Sequence, residues 1–471
     1  MLVPPSKQAR SPFTGTRAVL GLLGILLLAG AAYAAVSVDS IALNKATFMT
    51  LGLMVSAVGF LFSALFLNRD WRMMILIVTI VVIVSLFLVD IFLFWYGHHN
   101  FGRMVSAGFD LSFDARSREA VVRTLRERGD TGATPMIVPM AIVDSESHLL
   151  INQRPISPLA GVSGQTTVTC NEAGKWLTYM SDERGFRNPK GLWDGPVEIA
   201  LLGDSFGHGL CLPDENGIAG RIRAVFPRTL NLSYSGNDPL VELATLREYL
   251  TNRKPRIVLW LFYEGNDFRD LARLLEKSDI FPRYLENPQF RQNLEDIQPD
   301  VDRALIEHAR RAEARILADH AYSPVDILLL RNLRHMFGLR FRLSPDISPI
   351  NKDVLPVFEK IMAAAKAEVS AWGGQLIFVY LPQPARILSK GESRSDPFFE
   401  YREFVLDTIH REGIPLIDLV PIFKAQPRPL SLWEVEYYPG NHYSERGYGL
   451  VVDQILRWLT NSHPKTVSSG N

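Results

Sequence analysis

The chain is short of cysteine, of net charge and of any cofactor motif. Fifty Lys and Arg offset fifty Asp and Glu, so no global field recruits nucleic acid or an acidic partner. No group of His, Cys, Asp and Glu has metal-ligand spacing, no phosphate loop is present and nothing repeats, so no metal or other cofactor is expected. Only two cysteines occur in 471 residues, Cys170 and Cys211. They allow one intramolecular pairing: they form a disulfide, or they are two free buried thiols. Neither lies near Ala32-Tyr33-Ala34, which excludes a lipoprotein anchor at that point.

Charge is also missing from most of the first hundred residues. The runs 18–36 (AVLGLLGILLLAGAAYAAV) and 48–67 (FMTLGLMVSAVGFLFSALFL) hold none, and 73–96 (MMILIVTIVVIVSLFLVDIFLFWY) holds Asp90 alone. Each is about 20 residues or slightly more, the length a helix needs to cross roughly 30 Å of hydrocarbon. A core helix is rarely apolar on every face for so long. Residues 1–97 are therefore expected to be a membrane anchor of about three transmembrane helices. Lys7, Arg10 and Arg17 precede the first run, and Arg69 and Arg72, with Asp70, separate the second from the third. Basic short loops stay in the cytoplasm. The expected topology is a cell (inner) membrane protein with a cytoplasmic N-terminus, and with everything after Tyr96 in the periplasm or outside the cell. Ala32-Tyr33-Ala34 also resembles a signal-peptidase site. Cleavage there leaves two spans and the same orientation, but the small residues that continue the run favour the uncleaved form. Asp90 lies near the outer end of its span, where it is expected to reach water. An exported compartment permits disulfides, so a Cys170–Cys211 bridge is favoured.

The exported part changes character along its length. Residues 98–195 read as a connector with a small β-containing lead-in: RSREAVVRTLRERGD (116–130) is helical, and MIVPMAIV (136–143) and TTVTC (166–170) are short β-like runs. From 196 to 462, strand-like runs at 197–203, 229–234, 256–263, 375–381 and 415–420 alternate with helical stretches. Alternation of this kind gives an α/β fold, a mostly parallel sheet with helices on both faces. A helical insertion occupies about 268–350. Within it, 327–343 carries Arg331, Arg334, Arg340 and Arg342 and no acid; it suits either a lipid headgroup surface or a helix packed on the sheet with its arginines in solvent. Residues 463–471 read as a flexible tail.

Ligands bind at the carboxyl ends of such strands, and four polar groups fall there. Ser205 follows the first strand in LLGDSFGHG. Gly236 follows the second in SYSGNDP, and Asn266 the third in YEGNDFRD. His442 follows the last in YYPGNHYSERGYG. Serine is a poor nucleophile unless a base takes its proton. The oxyanion that forms needs placed donors, which a glycine N–H and an asparagine amide supply. Small residues at 203 and 207 are expected to let a carbonyl approach the backbone. His208, three residues after the serine, is expected to hydrogen-bond its loop rather than act as the base.

GDSF at 203–206, Gly236, GND at 265–267 and His442 resemble the four blocks of SGNH (GDSL-type) hydrolases, and TYMSDERGFRNPKG (178–191) is similar to the lead-in of many bacterial exported members. The resemblance covers roughly 195–460. It implies a three-layer α/β/α flavodoxin-like domain, with Ser205 as nucleophile and His442 as base. It assigns the oxyanion hole to the N–H groups of Ser205 and Gly236 and the Asn266 side chain. Two departures stand out. Glu264 holds the position of the glycine in Gly-x-Asn-Asp, and Pro439 stands where the family commonly has an aspartate three residues before the histidine. The group orienting the imidazole is therefore open: Glu434, Glu436 or a backbone carbonyl, or none in a Ser–His dyad. Gly203-Asp204-Ser205-Phe206-Gly207 also fits the nucleophile elbow of α/β-hydrolases, but that fold places several strands and an HGGG-type loop before the elbow.

The resemblance and the anchor together imply a membrane-anchored serine esterase or O-acyltransferase. Its substrate would be an acyl ester, most simply acetyl, on a cell-surface glycan or glycolipid, as in polysaccharide O-acetylation. Partners would be the membrane, the acylated glycan, glycolipid or small ester, and a membrane acyl-donor protein. Rival readings are a lipase or thioesterase of the same fold and a non-catalytic glycan-binding or assembly subunit. The first differs in substrate, the second in having no reactive serine.

Overall fold

The computed structural model describes residues 14–36, 43–108, 114, 116–171, 175–319, 353–388, 397–435, 438–439 and 442–462. Two compact units result. The first holds the N-terminal helices, and the described chain from Gly102 onward forms the second. α1 (Thr14–Val36), α2 (Leu43–Phe66) and α3 (Arg69–Gly108) cover the three apolar runs, and α3 belongs to the first unit as far as Phe101. Among the described residues one stretch, Arg69–Phe92, is long and apolar enough to cross a membrane; the apolar parts of the other two, Gly15–Ala29 and Leu51–Phe66, are shorter. α1 packs on α2, and Gly24 lets them close, since a Cβ there would meet Leu61 Cγ at 2.7 Å. Asp90 does not reach water: it is fully buried.

The second unit begins with the lead-in. Ser117 caps α4 (Arg118–Glu127) by accepting from the Ala120 N–H, and Val121 and Val122 of this helix are buried against Val168. MIVPMAIV is not a strand. Beyond β1 (Thr134–Pro135) it turns into α5 (Pro139–Glu146), because Pro139 at the first helical position has a pre-set φ and no N–H to waste. A hairpin of β2 (Leu149–Ile151) and β3 (Arg154–Ile156) follows, turning through Asn152 and Gln153 at φ 50° and 62°. Then β4 (Thr166–Val168) pairs with β1 and with β5 (Thr178–Met180).

The site is positioned by a five-stranded sheet. Its strands in chain order are β6 (Ile199–Leu202), β7 (Thr229–Asn231), β8 (Ile257–Tyr263), β9 (Gln375–Leu381) and β10 (Leu416–Asp418), arranged β10-β9-β8-β6-β7. All pairs are parallel. Strands buried on both faces read as continuous apolar runs, as IVLWLFY does in β8. Val258, Trp260 and Phe262 face one core and Ile257, Leu259 and Leu261 the other. The two faces are covered by different helices. α6 (Ser205–His208) and α7 (Ile218–Arg223) follow β6, and α8 (Pro239–Tyr249) follows β7. After β8 come α9 (Asp267–Lys277), α10 (Phe281–Glu286), α11 (Gln298–Asp319) and α12 (Val354–Ala371). β9 leads into α13 (Pro384–Leu388) and α14 (Pro397–Arg411), and β10 into α15 (Val420–Lys424). A short ribbon of β11 (Glu434–Val435) and β12 (Tyr438–Pro439) precedes α16 (Glu445–Ser462). α8, α9, α12 and α14 bury apolar residues on the first face; α7, α15 and α16 do so on the second. The result is three layers, α/β/α.

In this strand order the chain reverses its direction of travel between β6 and β8. A doubly wound sheet opens its ligand crevice there, at the carboxyl ends. α10 packs on α8, and every residue of α8 is buried, including Glu242, Arg247 and Glu248. The arginine-rich segment 327–343 lies outside the described residues.

Candidate active site

Ser205 stands at the switch point. β6 ends at Leu202, and Asp204 caps the single turn of α6 by accepting from the Phe206 N–H at 2.9 Å. As the first residue of that turn, Ser205 has an N–H with no intrahelical acceptor. The side chain of His442 comes to it from the far end of the chain: Nε2 lies 2.9 Å from Ser205 Oγ. Next to it, Tyr443 is buried and its hydroxyl donates to the Pro382 carbonyl at 2.7 Å. The Ser444 N–H donates to the Leu432 carbonyl at 2.7 Å. The Phe206 ring lies 5.1 Å from the imidazole and is stacked on Tyr263 at 4.0 Å. The imidazole is thus held between an anchored backbone and an aromatic wall.

The two glycines around the serine have a packing duty. A Cβ on Gly203 would meet Leu261 Cβ at 2.9 Å, and one on Gly207 would meet Ser233 Oγ at 2.2 Å. On the side where a side chain would stand, the space is filled by protein, so these glycines let α6 lie close on the sheet.

Gly236 occupies the third position of a turn closed by Asn237 N–H to Tyr234 C=O at 3.1 Å. Its φ is +77°, which an L side chain rarely adopts. A Cβ would also meet Val138 Cγ1 at 2.3 Å, so the lead-in packs directly on this turn. Within the described residues the Gly236 N–H makes no hydrogen bond.

Asn266 stands at the N-cap position of α9 without a side-chain capping bond, and its Nδ2 donates instead to Asp270 Oδ2 at 2.8 Å. A carboxylate only accepts, so Asp270 selects the flip of the amide. Burial raises the Asp204 carboxyl, and the Asn266 side chain beside it offsets part of that rise. Asp270 was not anticipated, although its i+4 spacing on the helix is a readable signal. Glu264 is braced from three sides. It accepts from the Tyr380 hydroxyl at 2.6 Å and the Gln383 N–H at 2.9 Å, and pairs with Arg386. Glu264 thus ties the β8–α9 loop to the loop after β9. No local sequence signal announces this, because its partners lie more than a hundred residues on.

Of the candidates for the third triad member, Glu436 and the Glu434 side chain lie outside the described residues. Pro439, in β12, offers no carboxylate. His208 is fully buried and serves its surroundings: Nδ1 is 2.9 Å from Ser235 Oγ and Nε2 3.2 Å from the Tyr179 hydroxyl. Burial pushes its pKa well below the ordinary value, and both ring nitrogens are taken by Ser235 and Tyr179 rather than by Ser205, so it does not serve as the base. Cys170 and Cys211 are joined in a disulfide. The loop bearing Cys211 is also held by Arg187, which donates to the Gly209 and Leu212 carbonyls, each at 2.7 Å.

Behind the serine lies a group of buried acids: Asp204, Asp238, Glu242 and Asp267, none with exposed surface. Burial pushes Asp204 up to about 6 and Asp238 up to about 8. Glu242 and Asp267 are driven well above the usual range by burial and by Asp204. A carboxyl whose folded pKa is raised stabilises most below its unfolded value, near 3.8, and that contribution is lost as pH rises through its folded pKa. The Asp238 share of stability is therefore expected to fall between about pH 4 and 8, at up to about 1.4 kcal/mol per pH unit. Asp238 caps α8 through Oδ1 to the Leu240 and Val241 N–H groups, a role asparagine fills equally well. Asp238→Asn should flatten the decline in urea unfolding between pH 5 and 8. A wild type with no decline would contradict the burial argument.

No protein-family model matches the chain, and no curated protein matches it. Solved structures do. The lipase/acylhydrolase from Enterococcus faecalis is 13% identical, with 56% of this chain and 96% of that chain covered and a TM-score of 0.31. The acetyl xylan esterase AlAXEase is 10% identical, with 55% and 98% covered and a TM-score of 0.30. A mutant acetyl-xylooligosaccharide esterase from Geobacillus is 14% identical, with 55% and 93% covered and a TM-score of 0.30. Likenesses this distant carry no argument about chemistry, which rests on the Ser205–His442 geometry.

Proposed function

We propose that the chain is a membrane-anchored, extracytoplasmic serine esterase or O-acyltransferase of the SGNH type, acting on an acetyl-sized ester of a cell-surface glycan or glycolipid. The observation that carries the reading is the 2.9 Å approach of His442 Nε2 to Ser205 Oγ at the switch point of a parallel sheet. Such a pair is within general-base distance. Oγ attacks the ester carbonyl as His442 takes its proton. The resulting oxyanion is received by the Ser205 and Gly236 N–H groups and the Asn266 amide. Collapse returns the proton to the leaving alcohol and leaves an acyl-enzyme on Ser205. Water entering next gives hydrolysis, and a sugar hydroxyl gives transfer. Extracytoplasmic placement is supported by the basic residues around the apolar runs and by a disulfide beside the site.

A reporter fused after Ala120 should be active outside the cytoplasm. Full-length protein incubated with an acetyl ester and quenched in acid should carry an acetyl group on Ser205 by peptide mass spectrometry. A cytoplasmic reporter would overturn the placement. No adduct under burst conditions, with no turnover, would overturn the chemistry and favour the non-catalytic subunit.

A further inference from the structure

The nucleophile and the second oxyanion donor belong to different elements. Ser205 opens α6, and Gly236 sits in the turn after β7. Their alignment depends on what joins the two. The Asn231 side chain reaches the Gly207 carbonyl at 3.0 Å, and the Tyr234 N–H reaches the Gly203 carbonyl at 3.0 Å. Both contacts stop short of the turn's central peptide. One side chain goes further: His208, on the same helical turn as Ser205, places Nδ1 2.9 Å from the hydroxyl of Ser235. Ser235 is the residue directly before Gly236. The imidazole is immobilised from two other directions, stacked on Tyr234 at 4.7 Å and bonded through Nε2 to the Tyr179 hydroxyl at 3.2 Å.

The turn itself makes this contact consequential. With φ negative at Ser235 and +77° at Gly236, Tyr234–Asn237 is a type II turn. Types I and II differ in the central peptide, which is rotated by roughly 180° between them. Glycine accepts either form. In one form the Gly236 N–H faces a given side of the turn; in the other the Ser235 carbonyl does. An oxyanion needs the donor and is repelled by the carbonyl. We infer that His208 is a positioning residue: its bond to Ser235 locks the turn that aims the Gly236 N–H and couples that aim to the helix bearing Ser205. This rests on the esterase or acyltransferase reading above.

Two replacements separate the two ends of the ring. Asparagine places a polar atom where Nδ1 was and keeps the Ser235 contact. Glutamine places one where Nε2 was and keeps only the Tyr179 contact. Full-length protein in detergent is assayed with p-nitrophenyl acetate. His208→Gln and Ser235→Ala are expected to lower kcat by about tenfold to a hundredfold, below the loss of a whole oxyanion donor, with KM within about twofold. His208→Asn should retain kcat within about threefold, and the His208→Gln/Ser235→Ala double variant should be no worse than either single one. Equal losses in the Asn and Gln variants, full activity in Ser235→Ala, or additive losses in the double variant would each overturn the inference. If His208→Gln does not fold, Ser235→Ala reads the same contact with the imidazole in place. A wild type that turns over normally beside flat variants sinks this inference alone. A wild type with no turnover and no Ser205 adduct sinks the esterase reading, and this inference with it.

Discussion

Ser205→Ala is expected to abolish fluorophosphonate labelling and to cut turnover by about 10⁴-fold or more, the scale on which removal of a serine nucleophile acts. His442→Ala should cost nearly as much, since without the base the hydroxyl stays protonated. The double variant should be no slower than Ser205→Ala, because the two act as one unit. KM should move little in any of them, as neither group binds the acyl or alcohol part of the ester. Labelling and kinetics on the purified full-length protein decide the matter. Full turnover in Ser205→Ala would end the nucleophile assignment, even with the 2.9 Å contact in place.

Asn266→Ala should lower kcat by about a hundredfold or more, the usual loss for one oxyanion donor. The effect should sit in kcat rather than KM, because the amide bonds a charge that develops only in the transition state. Asn266→Asp should be no better than alanine. It supplies an acceptor where a donor is needed, and it sets a second carboxylate against Asp270, which now accepts from Nδ2 at 2.8 Å. An Asn266→Ala enzyme within about threefold of wild type would assign the oxyanion to the backbone donors alone.

The sheet was legible because parallel strands buried on both faces must be apolar throughout. The runs at 256–263 and 375–381 match β8 and β9 to within a residue. MIVPMAIV misled for the same reason: a short apolar run has no period of its own, and Pro139 as a helix opener outweighed its β-like composition. The site residues were legible as strand-end positions, but their bracing was not. Ser205 and His442 stand 237 residues apart, and Glu264 and Arg386 122 apart. Periodicity carries no information over such separations. Nor could the packing duty of Gly203 and Gly207 be read from the motif, because it is set by Leu261 in β8 and by Ser233 in the loop after β7.

The Cys170–Cys211 bridge also acts on the chain when it is not folded. It spans 41 residues, and closing a loop of that size removes conformational freedom from the denatured ensemble worth about 4 kcal/mol in chain-entropy terms. β5, β6 and the serine turn all lie inside that loop, so their wandering is curtailed before any native contact forms. That gain exists only while the thiols stay oxidised. The steadiness of the segment carrying Ser205 is therefore set partly by the redox state of the surroundings, and the same sequence would hold it less firmly in a reducing one.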